Sequence, residues 1–342
     1  RPALPISHPY SYAMYLAKTQ GAFCTLGLAE DTWALNERVL DEESFLAQTW
    51  LNHDERERMF FDAIDKTSRG LAICVFDATD RIQHMFWRYH EGNHPAAREE
   101  DRARYRDEIK RLYMKMDEMV GRTLARLRKD SLFIVMSDHG FKTFKRGVNL
   151  NTWLYENGYL SVKNSQPSGA DWFQDVDWPR TRAYAVGLGG IYLNMKGREA
   201  QGSVEKGNAA NLKSEIRATL RELIDPQDNA PAVREVYDPV EIYEGPYVGE
   251  APDLIVGFAM GYRASWGCAT GKIEPEVFED NTKSWSGDHC VNPVDVPGVL
   301  FCNRPIPEPN PSIQDIGPTV LDLFGVPVPA YCDGKPLMPM VS

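Results

Sequence analysis

The stretch LFIVMSDHGF, Leu132 to Phe141, decides how the rest of the chain is read. Five apolar residues, Leu132 to Met136, follow a long helical pattern and stop at Ser137. A run of that length beside a helix reads as a buried parallel strand. Its carboxyl end carries Asp138, His139 and Gly140, and open α/β sheets gather ligands just outside the carboxyl ends of their strands. Asp138 offers a hard carboxylate and His139 an imidazole, both suited to Zn²⁺, and Gly140 lets the backbone turn tightly beneath them. Taken alone, the stretch is equally well a strand-end Asp capping a turn beside an incidental His. The remainder of the chain tips the balance.

Working outward, Gly70–Phe76 (GLAICVF) reads as a second buried strand, ending at Asp77 and followed by Asp80 and His84. Residues 98–129 form a charged helix with Ile109, Leu112, Met116, Met119, Val120, Leu124 and Leu127 on one stripe. Strand, helix, strand is a βαβ unit, which predicts parallel strands and a right-handed crossover. Two acidic amphipathic stretches, 31–39 and 41–63, read as surface helices. Residues 151–158 predict a short helix closed by Gly158, and 182–195, with GLGG inside, a hairpin or a loop against the sheet. Those glycines lack the order and the following helix of a nucleotide loop. Strands are expected at Leu254–Phe258 and Gly298–Cys302, helices at 204–224 and 312–324, the latter with Ser312 as N-cap and Gly325 past its end.

At 342 residues the chain accommodates one large α/β domain or two smaller ones. A net charge of −11 argues against nucleic acid or an anionic membrane surface as partner, so an anionic substrate needs local positive charge, which a metal supplies. The six cysteines have no short regular spacing and read as thiols rather than a disulfide framework, which favours the cytoplasm and leaves the periplasm or secretion open. No apolar run is long enough for a membrane span.

Three Asp/His clusters stand near predicted strands: Asp80 with His84, Asp138 with His139, and Asp288 with His289. Mixed carboxylate–imidazole ligation is what a divalent-metal hydrolase needs, and two such ions about 4 Å apart clamp the attacking and leaving oxygens of a phosphoryl transfer. His8, His53, His90 and His94 lack this context and read as surface or packing residues.

On these residues the chain resembles the type I phosphodiesterase/nucleotide pyrophosphatase branch of the alkaline phosphatase superfamily. The matching stretches are FDATDRIQH (Phe76–His84), SDHGF (Ser137–Phe141), the His of SGDHC (Ser286–Cys290), IQDIGPTVLDLFGVPVP (Ile313–Pro329) and DGKPL (Asp333–Leu337). The resemblance implies a three-layer α/β sandwich around a mainly parallel central sheet, with residues 70–342 as the alkaline phosphatase-like domain. Residues 163–287 then contain an irregular insert, and residues 1–69 are a helical lead-in continuing an upstream part. It further implies two Zn²⁺ ions, with Mn²⁺ as the alternative metal. Asp80, His84 and His289 would hold one ion, and Asp138 and His139 the other. The implied activity is metal-dependent hydrolysis of a phosphodiester or pyrophosphate bond in a small phosphorylated substrate. The alternatives are a related phosphomutase or phosphonate hydrolase, or a non-catalytic chain stabilised by metal. A sulfatase fits less well, because no C-x-P-x-R or S-x-P-x-R motif occurs.

Such enzymes also use a Thr or Ser nucleophile and an Asp from an earlier strand. Thr25 and Thr32 are the hydroxyls with suitable neighbours, yet neither follows an Asp-bearing strand. The nucleophile is therefore unassigned, and the chain is expected to be the carboxyl-terminal portion of a longer enzyme. Among flanking residues, Asp77 is expected to orient a ligand or cap a turn, Asp288 to be second to His289 or simply surface, and Lys142, Lys145 and Arg146 to form a solvated basic loop or to meet a phosphate.

Overall fold

The computed structural model describes residues 6–25, 29–164 and 166–338. The first elements are helices: α1 Ser11–Gln20, α2 Thr32–Asn36, α3 Glu42–Lys66, α4 Ala78–His90, α5 Glu99–Tyr105 and α6 Glu108–Leu124. Strands β1 Ile134–Met136 and β2 Lys142–Val148 follow, then α7 Leu150–Glu156, β3 Ala183–Val186, β4 Gly190–Leu193 and α8 Ala209–Arg221. Next come β5 Ile224–Asp225, β6 Ala230–Pro231, β7 Val233–Tyr237, α9 Pro239–Ile242, β8 Leu254–Phe258, β9 Gly261–Ala264 and α10 Trp266–Ala269. The chain ends with β10 Phe278–Asp280, β11 Gly287–Asp288, β12 Leu300–Cys302 and α11 Ile316–Leu323. It is a mixed α/β protein. Two compact units divide it, a larger one of Arg1–Glu118 with Phe141–Val296 and a smaller one of Met119–Gly140 with Pro297–Ser342.

The larger unit has two apolar cores. In the first, Ile82, Met85, Phe86 and Tyr89 of α4 recur at helical spacing and meet Phe45 and Leu46 of α3, Leu35 of α2, and Ile109 and Leu112 of α6. Each such side chain contributes about 1.5–3 kcal/mol when fully buried. Asp41 caps α3 by accepting from the Ser44 N–H at 2.8 Å, and Glu42 and Glu43 complement its first-turn dipole. In the second core, α7 and α8 pack with the antiparallel sheet β3-β4-β8-β7. Leu212, Ile216 and Leu220 form the buried stripe of α8.

A second sheet carries the site. β2 is its axis, with β10 and β11 antiparallel to it and β9 parallel. β11 pairs Gly287 with Thr143 and Asp288 with Lys142.

In the smaller unit β1 pairs antiparallel with β12, Ile134 opposite Cys302. Beyond the ladder, the Ser137 N–H donates to the Val299 carbonyl at 3.0 Å, and the Val299 N–H to Ser137 Oγ at 3.0 Å. A Cβ at Gly298 would lie 2.4 Å from the Ser137 carbonyl oxygen, so only glycine fits there. Ser312 and Asp315 form a reciprocal capping box ahead of α11. Gly325 sits past its end at φ +67°, a left-handed conformation that glycine adopts without strain.

Several expectations meet the structure closely. The Leu254–Phe258 strand, the hairpin around GLGG, the Gly158 stop (φ +73°) and the Ser312 and Gly325 punctuation all appear. The predicted strand 70–76 does not. The segment has no strand partner among the described residues, and Leu71, Ile73 and Val75 are exposed, Ile73 by 78%. The βαβ unit expected there is replaced by the run α4–α5–α6. An apolar run has the composition of a strand, but a strand exists only where another backbone satisfies its N–H and C=O groups. Among the described strand pairs of the four sheets, β2–β9 is parallel and the others are antiparallel. All six cysteines are free thiols. Among the described residues, no helix is long and apolar enough to cross a membrane.

Candidate metal centre

Asp80 and His84 lie four apart in the first half of α4, so both project from one face. His84 is buried, and its Nε2 sits 3.4 Å from Asp80 Oδ1. Its other nitrogen, Nδ1, is 2.7 Å from the Gly287 carbonyl. That carbonyl only accepts, so Nδ1 carries the proton and donates, leaving the Nε2 lone pair directed toward Asp80. His289 brings a second imidazole, with Nε2 3.9 Å from the same Asp80 oxygen and its ring centroid 5.2 Å from that of His84.

The segment SGDH (Ser286–His289) docks on α4 residue by residue. The Ser286 N–H donates to the His84 carbonyl at 2.7 Å, and the Arg88 N–H to Ser286 Oγ at 3.0 Å. Gly287 lies so close to α4 that a Cβ there would meet the Gln83 carbonyl oxygen at 2.4 Å and Trp87 Cβ at 3.0 Å. Asp288 is 2% exposed, and Arg263 Nη1 at 3.0 Å, Trp285 Nε1 at 2.8 Å and the N–H groups of His289 (2.8 Å) and Cys290 (2.9 Å) all donate to it. Aromatic rings close the site. Trp285 lies over His84 with centroids 3.6 Å apart, and Phe141 presents an edge to both His84 and His289.

Electrostatics follow from these contacts. Burial opposes ionisation of Asp80, but the contact with His84, with Arg81 and His289 beside it, outweighs burial and holds the carboxyl below its ordinary value. Asp288 is held low in the same way, with Arg263 the main force against burial. Burial, with Asp288 alongside, pushes the Cys290 thiol up to about 12, so it stays protonated. One carboxylate oxygen with two imidazole Nε2 atoms within 3.9 Å of it is a donor set that suits a divalent, Zn²⁺-like ion. The Gly287 carbonyl on His84 is the orienting contact such a ligand requires.

Asp138 and His139 belong to the smaller unit, at the carboxyl end of β1. His139 Nε2 lies 3.6 Å from Asp138 Oδ2, and its Nδ1 3.1 Å from the Gly140 carbonyl. Flanking residues depart from expectation. Asp77 precedes α4 without a side-chain cap and pairs instead with Arg56 at 2.7 Å. Lys145 and Arg146 are not a solvated loop but residues of β2. Lys145 pairs with Glu91 at 3.2 Å, and Arg146 with Asp225 and Asp280 at 2.7 Å each.

A cleft of about 380 Å³ opens beside the triad, with Thr32, Trp33, Asn36, Asp80, Arg81, His84, Leu188, Arg263, Trp266, Trp285, Asp288, His289 and Cys290 around it. Of the two hydroxyls weighed as nucleophile, Thr32 lines this cleft and Thr25 is exposed. Sequence reasoning gave no role to Arg263, Trp285, Gly287 or Phe141, although the last two stand in the SGDHC and SDHGF stretches.

A family model for type I phosphodiesterase / nucleotide pyrophosphatase matches residues 9–272. The chain belongs to that family, a group of phosphoester hydrolases. The matched range contains Asp80, His84, Asp138 and His139, and His289 lies beyond it. No curated protein matches the chain.

Proposed function

We propose that the protein takes part in metal-dependent hydrolysis of a phosphoric ester, with Asp80, His84 and His289 holding one divalent ion. The observation that carries this is the convergence of both imidazole Nε2 atoms on one oxygen of Asp80, within 3.4 and 3.9 Å. When bound, such an ion supplies positive charge to a phosphoryl oxygen and lowers the pKa of water. The chain's residues do the rest. Gly287 fixes the tautomer of His84, Asp288 holds the backbone N–H of His289, and the aromatic rings limit the access of water. Asp138 and His139 are assigned to a second ion of a dinuclear site, and Zn²⁺ is favoured over Mn²⁺ by the imidazoles.

Family membership supports the wider reading: a small phosphodiester or pyrophosphate substrate, and a three-layer sandwich with a mainly parallel central sheet. In that reading residues 1–69 lead into an α/β domain of 70–342, with the insert inside 163–287. The test is hydrolysis of bis(4-nitrophenyl) phosphate by the chain after chelation and after reloading with Zn²⁺ or Mn²⁺. Activity should vanish on chelation, return on reloading and be absent in His84→Ala. Hydrolysis indifferent to chelator, or none in the metal-loaded chain, overturns the proposal.

A further inference from the structure

A second pocket, of about 340 Å³, lies beside the β3–β4 hairpin and is lined by Trp178, Tyr184, Asn194, Glu199, Ala200 and Gln201. None of these six residues borders the cleft at the triad. Strand alternation builds its aromatic wall. Ala183, Ala185, Ile191 and Leu193 are buried in the core, so Tyr184 and Tyr192, opposite each other in the ladder, stand on the other face. Their rings stack with centroids 5.5 Å apart, and Trp178 meets Tyr184 at a right angle, 5.1 Å away. Phe173 buttresses both Trp178 and Tyr184, with its centroid 5.5 Å from each. The backbone there is left-handed at Trp172 (φ +59°) and Phe173 (φ +57°), and the Trp172 N–H donates to the Thr270 carbonyl at 2.7 Å. Two consecutive bulky residues in that region are strained, and strain of this kind collects at ligand clamps.

The polar groups of this pocket accept. Asn194 is fully buried, and its amide N–H groups donate to the Trp178, Thr181 and Gln201 carbonyls at 2.8, 2.9 and 3.1 Å. Its Oδ1 is buried too and has no donor among the described residues, a cost that a ligand N–H offsets. Glu199 accepts from the Met195 N–H at 2.7 Å, Arg198 Nε at 2.8 Å and the Tyr184 O–H at 3.4 Å. Arg198 is shared with Asp253 at 2.6 Å, so two carboxylates face one guanidinium and negative charge remains. Burial, with Glu199 alongside, pushes the Tyr184 phenol up to about 12, so the ring stays neutral. We infer that this pocket binds a small alkylated ammonium ion, its methyl groups against Trp178 and Tyr184, its charge beside Glu199 and its N–H on Asn194 Oδ1. An anion would meet acceptors where it needs donors. The inference is independent of the proposed phosphoester function.

The experiment is calorimetric titration of the chain with trimethylammonium and with tert-butanol, in excess sodium chloride. The two probes share three methyl groups and one polar hydrogen and differ in charge. Trimethylammonium should bind about tenfold more tightly, a gain equivalent to ~1.4 kcal/mol. Trp178→Leu and Glu199→Gln should each remove most of that gain, and Trp178→Phe should keep part of it, with the fold of every variant checked by circular dichroism. His84→Ala should bind trimethylammonium as the unaltered chain does, because His84 lines the other cleft. Equal affinity for the two probes, no binding of trimethylammonium, or binding unmoved in folded Trp178→Leu and Glu199→Gln overturns the inference. So does loss of binding in folded His84→Ala, which would put the cation at the triad instead.

Discussion

The chain contains the dipeptide Asp-His at two of its candidate sites, and the fold treats the two pairs differently. Asp288-His289 lies on and just after β11 in the larger unit, with the aspartate 2% exposed and receiving four N–H donors. Asp138-His139 lies past the end of β1 in the smaller unit, where the Asp138 side chain is 75% exposed and its carboxylate accepts from the neighbouring His139 N–H at 3.2 Å. The same two residue types form a braced, buried pair in one place and a solvent-facing turn in the other. What differs is the partner: a buried guanidinium, an indole and a docking helix surround the first pair. Local sequence sets the chemistry on offer, and tertiary contacts decide how rigidly it is presented.

The largest expected effect breaks the brace. Asp288→Ala leaves Arg263 buried without its carboxylate and should cost about 3–5 kcal/mol in urea unfolding, whereas Asp138→Asn should stay within about 0.5 kcal/mol. Equal costs would erase the contrast. Next, Gly287→Ala forces a methyl against the Gln83 carbonyl and pushes β11 off α4. It should cost ~3 kcal/mol and weaken metal binding as well. A stable variant with full metal affinity would show that the close approach is not what seats His289.

A third effect is pH-dependent. His94 Nε2 donates to the Phe144 carbonyl at 2.7 Å, its Nδ1 accepts from the Ala96 N–H at 3.1 Å, and the Phe144 N–H in turn donates to the Ser286 carbonyl at 2.7 Å. Burial, against the pull of the Phe144 carbonyl, lowers the imidazole from 6.5 to about 4. The unfolded chain therefore binds the proton first. This contribution is complete above pH 6.5 and is lost as pH falls toward 4, by at most about 3 kcal/mol. His94→Gln should flatten that part of the stability–pH curve, and an unchanged slope would contradict the assignment.

The local geometry of the candidate site was legible before the fold. The D-x-x-x-H spacing of Asp80 and His84 places both on one helical face whatever the tertiary context, and His289 was marked by its neighbour Asp288. Turn chemistry worked at Gly158, Ser312 and Gly325 because each acts within its own few residues. Long-range pairing was not legible. His84 meets the Gly287 carbonyl and Arg263 meets Asp288 through folding alone, and no window of sequence encodes either. The run 70–76 shows the same limit from the other side. Its apolar composition fits a strand, and it has no described ladder. Lys145 and Arg146 looked solvated because their acidic partners, Glu91, Asp225 and Asp280, are distant in sequence.

The central claim is that Asp80, His84 and His289 form a divalent metal site. Elemental analysis of the chain after dialysis against a weak chelator tests it most directly. At least one tightly held ion per chain is predicted, the one at these three residues being lost from His84→Ala and from His289→Ala and retained by Asp138→Asn. Metal content unchanged by either histidine substitution, or no retained metal in the unaltered chain, would contradict it.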